Sequence, residues 1–93
     1  MIKSFTDKET RRLWERGRSR KVPADLQRRA LRRLAMLNAA ASLEMLRAVP
    51  GNRLEKLSGD RAGQHSLRIN DQYRGCFVWE GGNAYEVEVT DYH

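Results

Sequence analysis

The sequence predicts an α+β fold in which two to three helices precede an antiparallel meander of about four strands. The first half of the chain carries one apolar stripe at helical steps of four and three residues, formed by Leu26, Ala30, Leu34, Leu37 and Ala41. From residue 54 onwards, apolar and polar residues alternate between clusters of turn-forming residues, which indicates short strands. Helices grouped before a meander are expected to pack on one face of its sheet.

The first predicted elements are a short N-terminal strand and a helix. Residues 2–5 are half apolar and predict the strand. Thr6 and Glu9 stand three residues apart, which is the spacing of a capping box, so a helix is expected to begin here. Gly17 is expected to end this helix, because glycine tolerates the left-handed conformation that closes many helices.

The second helix carries the apolar stripe. Pro23 suits its first turn, because proline lacks the N–H that a first helical turn leaves unused. We expect this helix to end between Asn38 and Ala41, and residues 42–47 to add one or two further turns. Residues 50–52, with proline and glycine together, then end the helical part of the chain.

Strands are expected to fill the rest of the chain. They cover residues 54–57, 64–69, 73–80 and a last segment that carries Tyr85, Val87 and Val89 on one face. Turns are expected between them, at residues 58–63, 70–72 and 81–83. In the third of these strands, alternation places Phe77 and Trp79 on one face and Cys76 and Val78 on the other.

Length and composition limit the class of protein. The 93 residues are expected to form a single domain, 1–93, because two domains of this size would each lack a sufficient core. The longest uncharged stretch, residues 34–43, is ten residues long. A membrane span needs about 20, so a membrane-spanning role is excluded. We expect no signal peptide, and the lone Cys76 fits a reducing compartment, the cytoplasm.

The charge of the chain is unevenly distributed. The net charge is +6, from 18 basic and 12 acidic side chains. Residues 1–33 hold 12 basic and 4 acidic side chains, a net +8, whereas residues 34–93 hold 6 and 8, a net −2. Fourteen of the basic residues are arginines, whose planar fork binds phosphate or carboxylate through two parallel hydrogen bonds. This predicts a nucleic acid or an acidic protein as partner; the alternative is a solvated basic helix.

The sequence offers no pattern for a metal or a cofactor. His65, His93 and Cys76 lack the grouped spacing of zinc ligands. Cys76 lies among apolar residues, where a small buried side chain is expected rather than a nucleophile. No glycine-rich phosphate loop is present. We therefore expect neither a metal nor a cofactor.

Basic side chains recur on and beside the predicted strands. Arg68 and Arg74 lie on strands, Arg61 lies in the turn before them, and Lys56 lies one strand earlier. A meander can bring all four to one concave face, and converging cations suit a phosphate group. Taken singly, each of them is explained as well by exposure on the wet face of a sheet.

The chain ends in Asp91, Tyr92 and His93, directly after an apolar strand. Histidine side chains in general titrate near neutral pH, so His93 is a candidate to accept or donate a proton. Tyr92 is expected to orient it or to take part in the proton transfer; the alternative is a frayed terminus. Cations beside such a group suit cleavage of RNA without a metal. In that reaction the 2′-hydroxyl attacks the adjacent phosphate, cations stabilise the pentavalent phosphorus, and an acid protonates the leaving 5′-oxygen.

Four segments resemble the HigB toxins of the RelE/ParE superfamily of bacterial toxin–antitoxin modules. They are the opening MIKSF, residues 51–66 (GNRLEKLSGDRAGQHS), residues 68–74 (RINDQYR) and the ending DYH. The resemblance covers essentially the whole chain. It implies a microbial-ribonuclease-like domain in the bacterial cytoplasm that enters the ribosomal A site and cleaves messenger RNA there, as an mRNA interferase.

The resemblance also implies partners. A HigA-type antitoxin with a helix-turn-helix fold is expected to neutralise the toxin, and operator DNA is expected to be bound only through the toxin–antitoxin complex. The 16S ribosomal RNA of the A site is expected to contact basic residues through their charge, namely Arg18, Arg20, Lys21, Lys56 and Arg61. Antitoxin binding or a merely solvated loop are alternatives for residues 17–22.

Site residues carry over from the resemblance position by position. Arg68 and Arg74 match the strand basic residues that bind the scissile phosphate in the superfamily. Tyr92 and His93 match the terminal pair implicated in catalysis in HigB proteins, and Asp91 matches the acid beside them.

The segment before the Gly-Asp-Arg turn departs from the family pattern. Some HigB toxins carry a histidine and a lysine there, where this chain has Glu55 and Ser58. Glu55 is the candidate general base, provided that its side chain faces the groove, and strand alternation then puts Lys56 on the opposite face. The departure also raises the alternative of a slow, mild toxin.

Two other functions compete with RNA cleavage. ParE-like members of the superfamily inhibit DNA gyrase, and a third possibility is a toxin that blocks ribosome assembly without cleaving RNA. The terminal Tyr92 and His93 argue against gyrase inhibition, which needs no proton-transfer group there. The departure at Glu55 and Ser58 keeps the ribosome-assembly alternative open.

Overall fold

The computed structural model describes residues 1–92 and confirms the α+β prediction, with three helices before an antiparallel meander. The helices are α1 (Lys8–Arg16), α2 (Gln27–Ala39) and α3 (Leu43–Arg47). The strands are β1 (Glu55–Lys56), β2 (His65–Arg68), β3 (Tyr73–Glu80) and β4 (Asn83–Asp91). They form one sheet in the order β1-β2-β3-β4, with every neighbouring pair antiparallel. Within residues 1–92, no helix is long and apolar enough to cross a membrane.

The helices cover one face of the sheet and form the core with it. The apolar stripe of α2 is confirmed at Ala30, Leu34 and Leu37, which are at most 1% exposed. The stripe is wrong at Ala41, which is exposed. Because α2 ends at Ala39, the extended Ala40 turns into the core instead.

Helix α1 begins at a different cap from the predicted one. Asp7, not Thr6, is the N-cap, and its carboxylate accepts a hydrogen bond from the Thr10 N–H at 3.1 Å. The Thr6 hydroxyl instead donates to the carbonyl of Glu86 at 2.9 Å. Gly17 ends the helix as predicted, with a φ of 80° that suits glycine.

The N-terminal segment does not form the continuous strand that was predicted. Ile2 and Phe5 make single parallel bridges to Ala84 and Val87 on the free edge of β4. The pairing is interrupted because Glu86, between those two bridges, has a positive φ of 52°. The segment therefore borders the sheet at two points and adds no fifth strand.

The same irregularity changes which residues of β4 face the core. Residues 86 and 87 stand against the single Phe77 of β3, so the register of the pair shifts there. Ala84 is buried together with Val87 and Val89, whereas Tyr85, which alternation had grouped with the two valines, is only partly buried. The prediction that one face of β4 is buried is therefore correct for Val87 and Val89, after the register shift, and wrong for Tyr85, before it.

Candidate active site

The sheet face opposite the helices, called the outer face below, carries three of the predicted site residues, Arg68, Arg74 and Glu55. Arg68 pairs with Arg74, and Ser66 pairs with Cys76, across β2 and β3. Glu55 pairs with Ser66 across β1 and β2. Because directly paired residues point to the same side of a sheet, these five side chains share the outer face.

Arg74 is held by three partners on the outer face. Its Nε donates to Ser66 Oγ at 2.6 Å and its Nη2 donates to the Arg53 carbonyl at 2.7 Å. A carboxylate oxygen of Glu55 lies 3.7 Å from Nη2. The Arg74 side chain is only 12% exposed. The buried Ser66 that orients it was not among the predicted site residues. The guanidinium is therefore fixed before any ligand binds.

Arg68 is held more loosely than Arg74. It lies beside Arg74 and forms an ion pair with Asp71, whose side chain is 98% exposed. An ion pair with a fully solvated carboxylate contributes little, so an incoming phosphate can readily replace Asp71. The two arginines thus present one fixed and one exchangeable cation at paired positions.

Glu55 and Lys56, the two residues of β1, point to opposite faces of the sheet. Glu55 pairs with Ser66 and lies on the outer face, whereas Lys56 pairs with His65 and lies on the helix side. The prediction that all four basic side chains share one face is therefore wrong for Lys56, because successive strand residues alternate. Glu55 has the orientation that a general base on the outer face requires.

A cleft of about 320 Å³ lies where the turn before β2 meets the end of β4. It is lined by Ser58, Asp60, Arg61, Asp91 and Tyr92. The guanidinium carbon of Arg61 lies 6.0 Å from the centre of the Tyr92 ring, a cation–π contact. The cleft thus brings together three predicted site residues. The fourth, His93, lies outside the described residues.

The end of β4 is tied to the turn between β2 and β3. The Gln72 side-chain amide donates to the Asp91 carboxylate at 2.8 Å, and the Tyr92 N–H donates to the Gln72 carbonyl at 2.9 Å. Asp91 also pairs with Tyr73 in the sheet. Asp91 and Tyr92 are therefore tied to the sheet, whereas the alternative of a frayed His93 lies outside the described residues.

Glu88 lies on β4 opposite Cys76 and therefore on the outer face. No motif in the sequence pointed to it. One carboxylate oxygen accepts from Arg61 Nη1 and the other from Lys21 Nζ, both at 3.2 Å. Lys21 also lies 3.5 Å from an Asp7 carboxylate oxygen. In the sequence, Glu88 is simply an acidic residue between Val87 and Val89. Any strand with one solvent-exposed face can show this pattern.

The basic loop of residues 17–22 is folded onto the protein. The Glu9 carboxylate accepts from the Arg20 N–H at 2.9 Å and from the Ser19 hydroxyl at 3.2 Å, and the first of these bonds lowers the pKa of Glu9. Arg18 and Arg20 are exposed, whereas Lys21 faces Glu88. The structure therefore leaves two of the three predicted RNA contacts of this loop on the surface.

The remaining titratable groups lie apart from the cleft or are buried. Within residues 1–92, no three His, Cys, Asp or Glu side chains are grouped as a metal site would need. Burial raises the pKa of the Cys76 thiol. His65 stacks on Phe77 with ring centres 6.0 Å apart on the helix side, and burial lowers its pKa. Neither side chain has the setting of a nucleophile.

Residues 3–93 match a family model described as "RelE-like toxin of type II toxin-antitoxin system HigB". Two curated proteins are similar over most of their length. Toxin HigB-1 of Vibrio cholerae is 39% identical over 85 residues, which is 90% of each chain. Endoribonuclease HigB of Proteus vulgaris is 35% identical over 94 residues, which is 100% of each chain.

A solved structure shares the fold at low sequence identity. It is the YoeB-YefM toxin-antitoxin complex from Staphylococcus aureus, and the similarity covers 100% of this chain and 98% of the matched chain. The TM-score is 0.59 and the identity is 13%, so this likeness concerns the fold alone.

Proposed function

The chain belongs to the HigB-like family of RelE-like toxins from type II toxin–antitoxin systems, and we propose that it is an endoribonuclease that cleaves messenger RNA on the ribosome. One observation carries the proposal. Arg74 pairs with Arg68 on one side and with Thr90, the residue before Asp91, on the other, and Arg61 lies with Asp91 and Tyr92 at the cleft. A relative that matches the full length is named an endoribonuclease, which supports the same reaction.

Arg68 and Arg74 are proposed to bind the scissile phosphate. When the 2′-hydroxyl attacks the phosphorus, negative charge increases on the non-bridging oxygens. A cation that is already in place therefore stabilises the transition state more than the ground state. Arg74 meets this requirement, because Ser66 and the Arg53 carbonyl hold its guanidinium through uncharged acceptors.

Glu55 is proposed as the general base and His93 as the general acid. The Glu55 side chain is 55% exposed and lies on the outer face beside Arg74, so it is accessible to a 2′-hydroxyl. The 2′-oxygen bonds to phosphorus, the bond to the 5′-oxygen breaks, and His93 protonates the leaving 5′-oxygen. The products are a 2′,3′-cyclic phosphate and a 5′-hydroxyl. Asp91 and Tyr92 are proposed to hold the acid beside the cleft.

The partners are proposed from charge and family. The exposed Arg18 and Arg20 are proposed to contact phosphates of the 16S ribosomal RNA near the A site. Family membership supports neutralisation by an antitoxin. We propose that this antitoxin is a HigA-type helix-turn-helix protein, and that the toxin meets operator DNA only through it.

Cleavage of messenger RNA on programmed ribosomes tests the proposal. The native chain is compared with Arg74→Ala, with a chain that lacks His93, and with Arg47→Ala as control, since Arg47 is exposed on α3 away from the cleft. The native chain and the control are expected to cleave. The other two are expected to lose about 100- to 1,000-fold in maximal rate. Growth arrest without cleavage by the native chain would overturn the proposal and favour gyrase or ribosome assembly as the target.

A further inference from the structure

Glu88 bridges two segments that lie far apart along the chain. Its carboxylate binds Arg61, 27 residues earlier, and Lys21, 67 residues earlier. We propose that Glu88 is a positioning residue of the cleavage reaction, and that it acts by holding the Arg61 guanidinium over Tyr92 at the cleft. The inference rests on the proposed function and adds to it a residue that lies outside the segments on which the resemblance to the HigB toxins rests.

The location of Glu88 suits it to this task. It lies on β4, the strand that ends in Asp91, and it pairs with Cys76 in the interior of the sheet. Its side chain is 20% exposed, so water screens its ion pairs less than those on an open surface. The residues of β4 from Glu88 to Asp91 all pair with β3, and a strand that is hydrogen-bonded along its length is a rigid support for a positioning group.

Arg61, by contrast, comes from a short turn and not from a strand. It ends a single 3-10 turn, Gly59–Arg61, between two strands. Its Nη1 donates to Gln64 Oε1 at 3.1 Å and to Glu88 Oε1 at 3.2 Å. Of these two acceptors only Glu88 carries a charge, and a bond between two charged groups is the stronger one. Glu88 therefore fixes the guanidinium that lies 6.0 Å from the Tyr92 ring centre.

Because Glu88 is negatively charged, a role in positioning and a role in RNA binding predict opposite effects of its removal on the affinity for RNA. A carboxylate on the outer face repels RNA and neutralises two cations, Arg61 and Lys21, so it cannot increase the affinity for RNA. Its removal leaves Arg61 with the uncharged Gln64 and Lys21 with Asp7. We therefore expect Glu88→Gln to bind ribosome-held RNA as tightly as the native chain or more tightly, while Arg61 loses its fixed position and the maximal rate falls.

The test measures cleavage on programmed ribosomes as a function of toxin concentration. Glu88→Gln is expected to lower the maximal rate about 10- to 100-fold, which corresponds to the loss of one charge-assisted hydrogen bond. The half-saturating concentration should stay equal or fall. Glu88→Asp keeps the carboxylate and should restore part of the rate. Glu86→Gln is the matched control, because Glu86 is exposed on the same strand.

A double-mutant cycle with Arg61→Ala identifies the route of the effect. If Glu88 acts through Arg61, Glu88→Gln should lower the rate much less in the Arg61→Ala background than in the native chain. NMR signals of the Arg61 Nε–Hε group and of the Tyr92 ring should shift in Glu88→Gln and stay native in Glu86→Gln. Thermal unfolding of each variant checks that the fold is retained.

The outcomes separate this inference from the proposed function. A native maximal rate in Glu88→Gln, or an equal loss in the native and Arg61→Ala backgrounds, would overturn the role of Glu88 and leave the proposed function intact. A parallel rise of the half-saturating concentration would show that Glu88 acts in binding, which also overturns it. Absence of cleavage by the native chain would overturn the proposed function, and the role of Glu88 with it.

Discussion

Replacement of Arg74 by lysine separates the charge of this residue from its shape. Arginine reaches Ser66 Oγ with Nε at 2.6 Å and the Arg53 carbonyl with Nη2 at 2.7 Å. A lysine keeps the positive charge, but its donors all come from one nitrogen, which cannot stand at both positions. We therefore expect Arg74→Lys to lose at least one of the two hydrogen bonds.

The structure sets the size of the effect. A hydrogen bond to a charged group contributes about 1.5–3 kcal/mol, and this site lies near the full value because Ser66 is buried and Arg74 is 12% exposed. The free energy of unfolding should fall by about 1.5–3 kcal/mol. If the same bond also fixes the guanidinium in the transition state, the maximal cleavage rate should fall about 10- to 100-fold.

Urea unfolding and cleavage on programmed ribosomes measure the two effects separately. Arg47→Lys is the matched control, because Arg47 is exposed on α3. The control should leave both quantities unchanged. An Arg74→Lys variant with native stability and a native maximal rate would refute the reasoning, since it would show that charge alone suffices at this position.

Three further predictions concern RNA affinity, the start of α1 and the response to pH. Helix α2 holds four arginines and no acidic residue, so the double variant Arg29→Gln, Arg32→Gln should bind RNA more weakly. The slope of its log binding constant against log salt concentration should fall in magnitude by about 0.7–0.9 per charge removed. Arg47→Gln is the control, and an unchanged slope in the double variant would contradict the prediction. Asp7→Ala removes the N-cap and should lower the free energy of unfolding by about 0.5–2 kcal/mol in urea titrations, whereas native stability would exclude this cap. Burial and nearby cations lower the pKa of His65 below its ordinary 6.5, so its contribution to stability is complete above that value and is lost as the pH falls through the lowered pKa. The native chain should therefore lose more stability than His65→Phe between about pH 7.5 and about pH 5.5, and equal losses would contradict this.

The helices and the strand order could be predicted because local sequence encodes them. The stripe of Ala30, Leu34 and Leu37 identifies α2 without any knowledge of the rest of the chain. The cap of α1 could not be predicted in this way. Thr6 and Asp7 are both good N-caps, and the choice is made by a Thr6 hydrogen bond to a residue 80 positions later.

The placement of the candidate site residues could be predicted where it depends on strand register, but not where it depends on contacts across the fold. The positions of Arg68 and Arg74 follow once a turn between β2 and β3 is assumed, because their pairing is then fixed. The grouping of Lys56 with them is wrong, because successive residues of β1 alternate and Glu55 takes the outer face. Glu88 was missed because its partners are distant in sequence.

Arg61, Arg68 and Arg74 differ in the groups that neutralise their charges, and we therefore expect them to have different roles. Uncharged acceptors, the Ser66 hydroxyl and a main-chain carbonyl, make both hydrogen bonds to Arg74. Its carboxylate partner, Glu55, is 3.7 Å away and 55% exposed, so Arg74 keeps most of its charge for a phosphate. Arg68 is neutralised by the exposed Asp71, which RNA can displace at little cost. Arg61 is neutralised by Glu88 at 20% exposure, where displacement is costly, so it suits the orientation of Tyr92 better than the binding of phosphate. We therefore expect a transition state that gains negative charge to be stabilised mainly by Arg74, although Arg61 is the arginine that contacts Tyr92.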